Sequence, residues 1–178
     1  MARTVSDSAQ KAAAEDMVHD LNTMEGVDAE VSVRTSGTNP RNTVSVDCSS
    51  ESWRHLAECL RVKHGVDHCS MVTGIHWPEG GPDKNWEVVY HFMRMGISEP
   101  PVIDGMVQPI MTDPSSLRGK EVPLEIEVRV ALPETREPKV ASVQDIWAGA
   151  DWNEKETWDL VGIDFEGHVG MRRVLQPH

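Results

Sequence analysis

The chain has 178 residues, of which 39% are hydrophobic, and a formal net charge of −12. This length suits one domain with its own core, and no apolar run is long enough to cross a bilayer. The acidic balance argues against nucleic acid as a partner, because phosphate binding needs a basic surface. Three cysteines without a CxxC pair give little support to a disulfide framework or to a zinc or iron–sulfur site. A reducing cytoplasm is the simplest setting.

The N-terminal part of the chain predicts a helix followed by a hairpin. Apolar residues recur at helical spacing over 9–24, with Ser8 as the N-cap and Gly26 as the end. Alternating apolar residues over 27–33 and again over 43–47 flank the turn-rich sequence TSGTNPRN. This arrangement predicts two antiparallel strands.

The middle of the chain adds one helix and three strands. The helix is predicted over 50–63, and Gly65 ends it. Apolar strands are predicted at 69–76 and 86–95, and LEIEVRVA at 124–131 is the clearest alternation in the chain. The predicted fold class is therefore α/β, with a mixed β-sheet and helices packed mainly on one face.

A long proline-rich loop is predicted at 96–122. Four prolines argue against regular structure there, at Pro100, Pro101, Pro109 and Pro114. The same segment is too apolar for a solvated linker, so we expect it to lie on a surface of this protein or of a neighbour.

Residues 145–175 hold the densest group of unusual residues, including Trp147, Trp152 and Trp158. Aromatic and arginine side chains together are typical of protein–protein interfaces. Asp151 and the glutamate three residues later resemble a capping box that opens a helix over 152–161, and a glycine follows that helix.

These residues resemble the signature of the C-subunit family, also called the thirty-kilodalton family, of respiratory complex I. That signature runs E-R-E-x-x-D-x-x-G-I-x-F-x-G-H-P before a leucine, an arginine and a closing I/V-L. The matching positions are Glu154, Lys155, Glu156, Asp159, Gly162, Ile163, Phe165, Gly167, His168, Arg173, Val174 and Leu175. The strand at 86–92 and the segment 124–147 match the family in order and spacing. The resemblance covers residues 50–175, and such an ordered match is more specific than any single motif.

The chain departs from the family pattern at several positions. Lysine stands at 155 where arginine is usual, Ala148 and Val169 replace prolines, and His76 replaces an aspartate. The family's further F-x-G-x-P-L-R-K-D tail does not follow Pro177. Short versions of the subunit occur in archaeal complexes that oxidise a reduced deazaflavin coenzyme or hydrogen. The truncation, the acidity and the long loop favour that branch.

The resemblance implies a non-catalytic scaffold subunit in the peripheral arm of a membrane-associated, ion-translocating complex. That complex would oxidise NADH or a reduced deazaflavin and reduce a quinone or phenazine. The implied partners are the hydrogenase-like D subunit and the iron–sulfur B and I subunits. They would carry the iron–sulfur clusters, so this chain would hold no cofactor, no metal and no catalytic residue. It would reach the membrane only through the complex, on the cytoplasmic side.

We divide the chain into an N-terminal helix (1–26), an α/β domain (27–175) with an insertion at 96–122, and a short tail (176–178). The predicted interface and signature residues are Trp147, Trp152, Glu154, Lys155, Glu156, Asp159, Gly162, Phe165, Gly167, His168, Arg172 and Arg173. The resemblance places Trp152 on the buried face of its helix. The tryptophans are otherwise equally compatible with core and interface.

The acidic residues of the signature are weak candidates for catalysis. Glu154 and Glu156 point about 200° apart on a helix, so they cannot act as a carboxylate pair. An edge formed by Glu156 and Asp159 is better suited to hold Arg172 or Arg173 in an ion-pair network. His168 is expected to be a hydrogen-bonded turn histidine rather than a titrating switch.

Two other functions remain open at this stage. His64, His68, Cys69 and His76 would serve a free-standing metal-dependent hydrolase, although Gly65 interrupts the helix that an H-x3-H pair needs. A generic acidic adaptor without a fixed complex is the other alternative.

Overall fold

The computed structural model describes residues 7–36, 39–96, 102–104, 106–107 and 117–176. The helices are α1 (Asp7–Leu21), α2 (Ser50–Val62) and α3 (Ala150–Val161), with a 3₁₀ turn at Gly119–Glu121. The strands are β1 (Val27–Ser36), β2 (Asn39–Ser49), β3 (His68–His76), β4 (Trp86–Arg94), β5 (Val102–Ile103), β6 (Met106–Val107), β7 (Leu124–Leu132), β8 (Lys139–Ala141) and β9 (Asp164–Glu166). No described helix has both the length and the apolar character of a membrane span.

One mixed sheet of five strands forms the centre of the fold, in the order β1-β2-β7-β4-β3. The β2–β7 pair is parallel and the other three pairs are antiparallel. Side chains in register across the sheet share a face because the side-chain direction alternates along every strand. One such row is apolar and buried, and it consists of Ala29, Val46, Val128, Tyr90 and Val72.

All three helices cover this apolar face. Trp53 of α2 stacks on Tyr90, with 4.2 Å between ring centroids. The loop before α3 packs Trp147 onto Phe92 at 4.4 Å. Thr157 of α3 donates its hydroxyl to a backbone carbonyl of β3 at 3.2 Å. The predicted layer of helices on one side of the sheet is confirmed.

The opposite face of the sheet is polar, and none of the three helices covers it. Glu127 there pairs with Arg34 and, at 2.5 Å, with Arg129. Arg41 and Glu125 form a second pair at 2.9 Å. Charged side chains on the outer face and apolar ones on the inner face account for the regular alternation of LEIEVRVA.

The predicted hairpin is confirmed, and the later strands agree with prediction to within one residue. The first helix spans 7–21 rather than 9–24, and Ser8 lies inside its first turn instead of capping it. The four prolines of the 96–122 segment lie outside the described residues. Within that segment β5 and β6 pair as a short antiparallel ribbon, so the expectation of irregular structure was wrong for those four residues.

A buried guanidinium holds the end of this segment against the domain. Arg94, the last residue of β4, donates to the carbonyls of Val122 at 2.9 Å and Gly119 at 3.1 Å. A further bond reaches the carbonyl of His64 at 3.4 Å. Burial lowers the pKa of Arg94 from its ordinary value, and backbone carbonyls supply its hydrogen-bond partners.

Candidate functional site

Helix α3 lies against the β3 edge of the sheet at an unusually close distance. A Cβ on Gly74 of β3 would stand 2.7 Å from Thr157 Cγ2 and 2.9 Å from Ile163 Cδ1. A Cβ on Gly149, just before the helix, would stand 2.6 Å from the carbonyl oxygen of Cys69. Glycine is required at these two positions by close packing, which fixes how α3 sits on the strand.

The ends of α3 are formed differently from each other. Gly162 ends the helix in the left-handed conformation with φ 87°, as predicted. The predicted capping box was wrong, because the N-cap is Gly149 and no side chain caps the helix. Asp151 lies within the first turn, where its carboxylate binds Lys155 one turn later, and the carboxylate of Glu154 binds Ser142 and Val143 outside the helix.

Glu154 is fully buried and joins α3 to the segment after β8. Its carboxylate accepts from Ser142 Oγ at 2.6 Å and from the backbone N–H of Val143 at 2.9 Å. Burial raises the pKa of Glu154 to about 7, although both hydrogen bonds act to lower it. Glu156 lies on the exposed side of the helix, so the two glutamates do not form a carboxylate pair.

A second buried polar group forms around the first turn of α3. The Lys155 ammonium contacts both oxygens of Asp151, at 2.8 and 2.9 Å. His168 Nε2 lies 3.3 Å from Asp151 Oδ1 and 3.3 Å from the Asp151 carbonyl oxygen, and its side chain has no exposed surface. The ammonium of Lys155 thus makes the two contacts with a carboxylate that a bidentate arginine would make. His168 is the hydrogen-bonded turn histidine that was expected.

Asp159 fixes the end of the described chain. Its Oδ2 accepts from the backbone N–H groups of Val174 at 3.0 Å, Leu175 at 2.8 Å and Gln176 at 2.8 Å. Arg173 approaches Oδ1 at 3.5 Å, which confirms one of the two predicted arginines. Burial raises the pKa of Asp159, but the three backbone bonds outweigh it and the pKa is lowered overall. No ion pair joins Glu156 or Arg172 to another described residue.

The hydrogen bonds show the path of the C-terminal segment. His168 lies at the first turn of α3 and Val174 at the last, so residues 168–176 run alongside the helix. Gly167 turns the chain into this path with φ 85°. The segment and the outer side of α3 together form one surface, which we call the α3 surface. Its exposed apolar side chains are Trp152, Leu160, Val169 and Leu175.

The structure corrects the placement of several predicted interface residues. Trp152 was assigned to the buried face of its helix, yet 57% of it is exposed. The Lys155 ammonium lies 5.7 Å from its ring centroid, at cation–π distance. Four other predicted residues have side chains that are enclosed in the chain's own domain, namely Trp147, Glu154, Phe165 and His168.

The hydrolase hypothesis required the three histidines to come together, and the structure separates them. His68 and His76 stand at opposite ends of β3, about 26 Å apart at the rise of an extended strand. His76 stacks on Trp86 with 3.9 Å between ring centroids, and Cys69 is buried. His64 instead contacts Asp20.

Sequence reasoning missed two residues that hold the signature region in place. Arg54 of α2 pairs with both oxygens of Asp145, at 2.8 and 2.7 Å, and also binds the Ser142 carbonyl at 3.0 Å. Ser142 in turn donates to Glu154. Arg54 is far from α3 in sequence, and a single serine in the loop after β8 carries no signal of its bond to Glu154.

The architecture defines a two-layer mixed α/β domain with a helix and a C-terminal segment anchored on one sheet edge. The chain belongs to the family described as the 30 Kd subunit of the respiratory-chain NADH dehydrogenase, whose model matches residues 46–178. The resemblance seen in the sequence is therefore confirmed.

Individual relatives agree with this assignment. The chain is 34% identical over 123 residues to the J subunit of NAD(P)H-quinone oxidoreductase from Synechococcus sp. (strain CC9605), covering 68% of this chain and 56% of that protein. It is 38% identical over 98 residues to the C/D subunit of NADH-quinone oxidoreductase from Gluconacetobacter diazotrophicus, covering 55% of this chain and 12% of that protein. The chain spans 51% of another J-subunit relative and 61% of a C-subunit relative that it matches.

A solved structure shares the fold. The membrane-bound sulfane sulfur reductase, described as an archaeal respiratory membrane complex, contains a chain that superposes with a TM-score of 0.59 at 18% identity. The superposition covers 91% of this chain and 75% of that chain. The expected archaeal type of complex stays a prediction.

Proposed function

We propose that this chain is a non-catalytic scaffold subunit in the peripheral arm of a membrane-associated, ion-translocating oxidoreductase of the complex I type. The observation that carries the proposal is the α3 surface, where four apolar side chains are exposed while hydrogen bonds to the enclosed carboxylates of Glu154 and Asp159 fix the helix and the C-terminal segment. Exposed apolar side chains held in one conformation lose little entropy when a partner covers them. Such a surface suits permanent docking.

The contribution of this subunit to electron transfer is positional. Cluster-bearing subunits exchange electrons usefully only if the spacing between them is constant. Glu154 and Asp159 bind α3 to the sheet side and to the C-terminal segment through directional bonds. These buried groups fix the relative position of the segments more than they add binding energy. In a buried charged pair the Coulomb attraction often only offsets the cost of desolvation.

The proposed partners are the hydrogenase-like D subunit and the iron–sulfur B and I subunits. The relative whose name joins C and D supports proximity to D, since this chain matches only 12% of that longer protein. The clusters would belong to the partners, and the electron-carrying chemistry of NADH or reduced deazaflavin oxidation would take place there. The chain would lie on the cytoplasmic side of the membrane, held by the complex.

Affinity purification of the tagged full chain from native membranes tests this proposal. The double variant L160S/L175S removes two apolar side chains of the α3 surface and should lose most of the co-purifying cluster-bearing and membrane subunits. The variant V62S is the matched control, because Val62 is 82% exposed but lies on α2. Equal recovery of partners with both variants would refute docking through the α3 surface. Recovery of the wild-type chain alone would favour the acidic adaptor.

A further inference from the structure

The C-terminal turns of α1 and α2 bring three metal-ligand side chains together, far from the α3 surface. Asp20 lies in the last turn of α1, Cys59 in the last turn of α2, and His64 two residues after α2 ends. A carboxylate oxygen, the thiol sulfur and a ring nitrogen all lie within 4.8 Å of one another. This is the one such His, Cys and carboxylate group among the residues that the structure describes.

The local backbone holds these side chains in place. The N–H of His64 bonds to the carbonyl of Cys59 at 3.2 Å, which folds the chain back over the end of α2. Arg94 binds the carbonyl of His64 from the other side, at 3.4 Å. The ring of His64 is nearly enclosed, and its Nε2 lies 2.8 Å from Asp20 Oδ2. Ligand positions that are fixed before binding lower the entropy cost of capturing an ion.

The surroundings favour a cation. Two helices direct their C-terminal ends, which carry partial negative charge, to this point. The adjoining hollow is lined by four carboxylates and one ammonium, those of Asp20, Glu25, Glu51, Glu58 and Lys63, and also by His55. The ammonium of Lys63 lies 2.5 Å from Asp20 Oδ1, and this bond is the main reason that the pKa of Asp20 is lowered. A positive charge thus already occupies part of the site.

We propose that Asp20, Cys59 and His64 bind one thiophilic divalent transition-metal ion such as Zn²⁺, with water completing a tetrahedral shell. Carboxylate oxygen, thiolate sulfur and imidazole nitrogen are the ligand atoms that zinc takes in proteins. Tetrahedral zinc separates such ligand atoms by about 3.5 Å. The three atoms are therefore within roughly an ångström of a binding arrangement. The ion would join α1 to α2, which goes beyond the proposed docking function.

Binding requires three changes in the site. The Lys63 ammonium must leave Asp20, and the proton shared by His64 Nε2 and Asp20 Oδ2 must move to Nδ1 of the ring or to solvent. The thiol of Cys59 must also lose its proton to solvent. Zinc takes cysteine as the thiolate and histidine as the neutral ring. Zinc binding should therefore release a proton and become tighter as the pH rises.

Metal titration of the reduced, metal-free full chain tests the site. Equilibrium dialysis against micromolar Zn²⁺, followed by elemental analysis, should give one ion per chain. Co²⁺ as a probe should produce a thiolate-to-cobalt absorption band. C59S and H64Q should each weaken zinc binding by about tenfold to a hundredfold. C59S should also abolish the thiolate-to-cobalt absorption band. Absence of stoichiometric zinc from the wild-type chain would overturn the proposal.

Two further variants separate this site from adventitious binding. K63Q removes the competing ammonium and should strengthen zinc binding, an effect that a non-specific histidine site would not show. H55N removes an exposed histidine of the same hollow and should leave the affinity unchanged. Unchanged affinity in C59S, or a loss in H55N that matches the loss in H64Q, would overturn the proposal. Circular dichroism establishes that every variant is folded.

Discussion

Helices α2 and α3 lie on the same face of the sheet but bury opposite kinds of side chain. Helix α2 is capped by Ser49 and buries Trp53, Leu56, Ala57 and Leu60. Helix α3 has no side-chain cap, and it buries Ala150, Glu154, Lys155 and Thr157 while Trp152 and Leu160 are exposed. Apolar burial is strong but non-directional, whereas buried hydrogen bonds specify position at little net gain. Helix α2 therefore contributes more to the stability of the domain, whereas buried hydrogen bonds fix the position of α3 and leave Trp152 and Leu160 exposed.

The largest expected effect on stability comes from a substitution in the apolar face of α2. Trp53→Ala removes a fully buried ring that stacks on Tyr90 and donates its Nε1–H to the Ala141 carbonyl at 3.0 Å. The free energy of unfolding should fall by about 3–5 kcal/mol. Trp152→Ala is the matched substitution on α3 and should change it by less than about 1 kcal/mol. Urea unfolding of both variants measures the contrast, and equal losses would show that the two helices are held in the same way.

The next effect depends on pH and concerns the buried glutamate of α3. The pKa of Glu154 rises from an ordinary 4.5 to about 7 in the folded chain, so the folded state binds an extra proton between these values. The contribution of the protonated Glu154 side chain to the free energy of unfolding is complete below pH 4.5 and is lost as the pH rises through 7. The loss is roughly 3 kcal/mol across this range.

Glu154→Gln should remove this part of the pH dependence, because the amide keeps the hydrogen-bonding shape without a charge. Urea unfolding of wild type and variant at several pH values measures the difference in slope. E156Q is the control, since Glu156 is exposed. Parallel curves for wild type and Glu154→Gln would mean that the glutamate remains ionised in the folded state.

A smaller effect is expected where α3 meets β3. Gly74→Ala places a methyl group 2.7 Å from Thr157 Cγ2, and overpacking of this kind costs about 1–3 kcal/mol. Thr157→Ser removes that methyl group but keeps the hydroxyl that bonds to β3. The double variant should therefore recover part of the loss in thermal unfolding. If the effects of the two substitutions were purely additive, contact with Thr157 would be excluded as the cause of the lost stability.

The smallest effect on global stability is expected at Asp159. Asp159→Ala removes the acceptor for the backbone N–H groups of Val174, Leu175 and Gln176. Hydrogen exchange at these three amides should accelerate while exchange in the sheet stays unchanged. Glu156→Ala is the control on the same helix. In the assembled complex, Asp159→Ala should reduce the amount of complex formed without altering turnover in what assembles. Full assembly with slow turnover would contradict a scaffold role.

The sheet and the first two helices were predictable because their periodicity is local. Residues 124–131 alternate because one face is apolar and the other carries Glu127 and Arg129. Helix α3 has a polar buried face, so the placement of Trp152 on that face, which came from the family resemblance, was wrong. The Glu154 carboxylate was interpreted as part of a local cap, although its partner Ser142 lies 12 residues away. The trio of Asp20, Cys59 and His64 joins two helices and has no spacing motif.

The position of β7 in the sheet has a consequence for the order of folding. Strands β1 and β2 pair locally, and so do β3 and β4, but β7 lies between the two hairpins and pairs with both. Each hairpin keeps an open edge until residues 124–132 have left the ribosome. Closing the sheet brings together residues about 80 positions apart, such as Val46 and Val128. Non-local pairing of this kind slows folding, and unpaired edges attract other chains. Synthesis through β7 is therefore the step that covers the inner edges of β2 and β4, which until then are open to pairing with other chains.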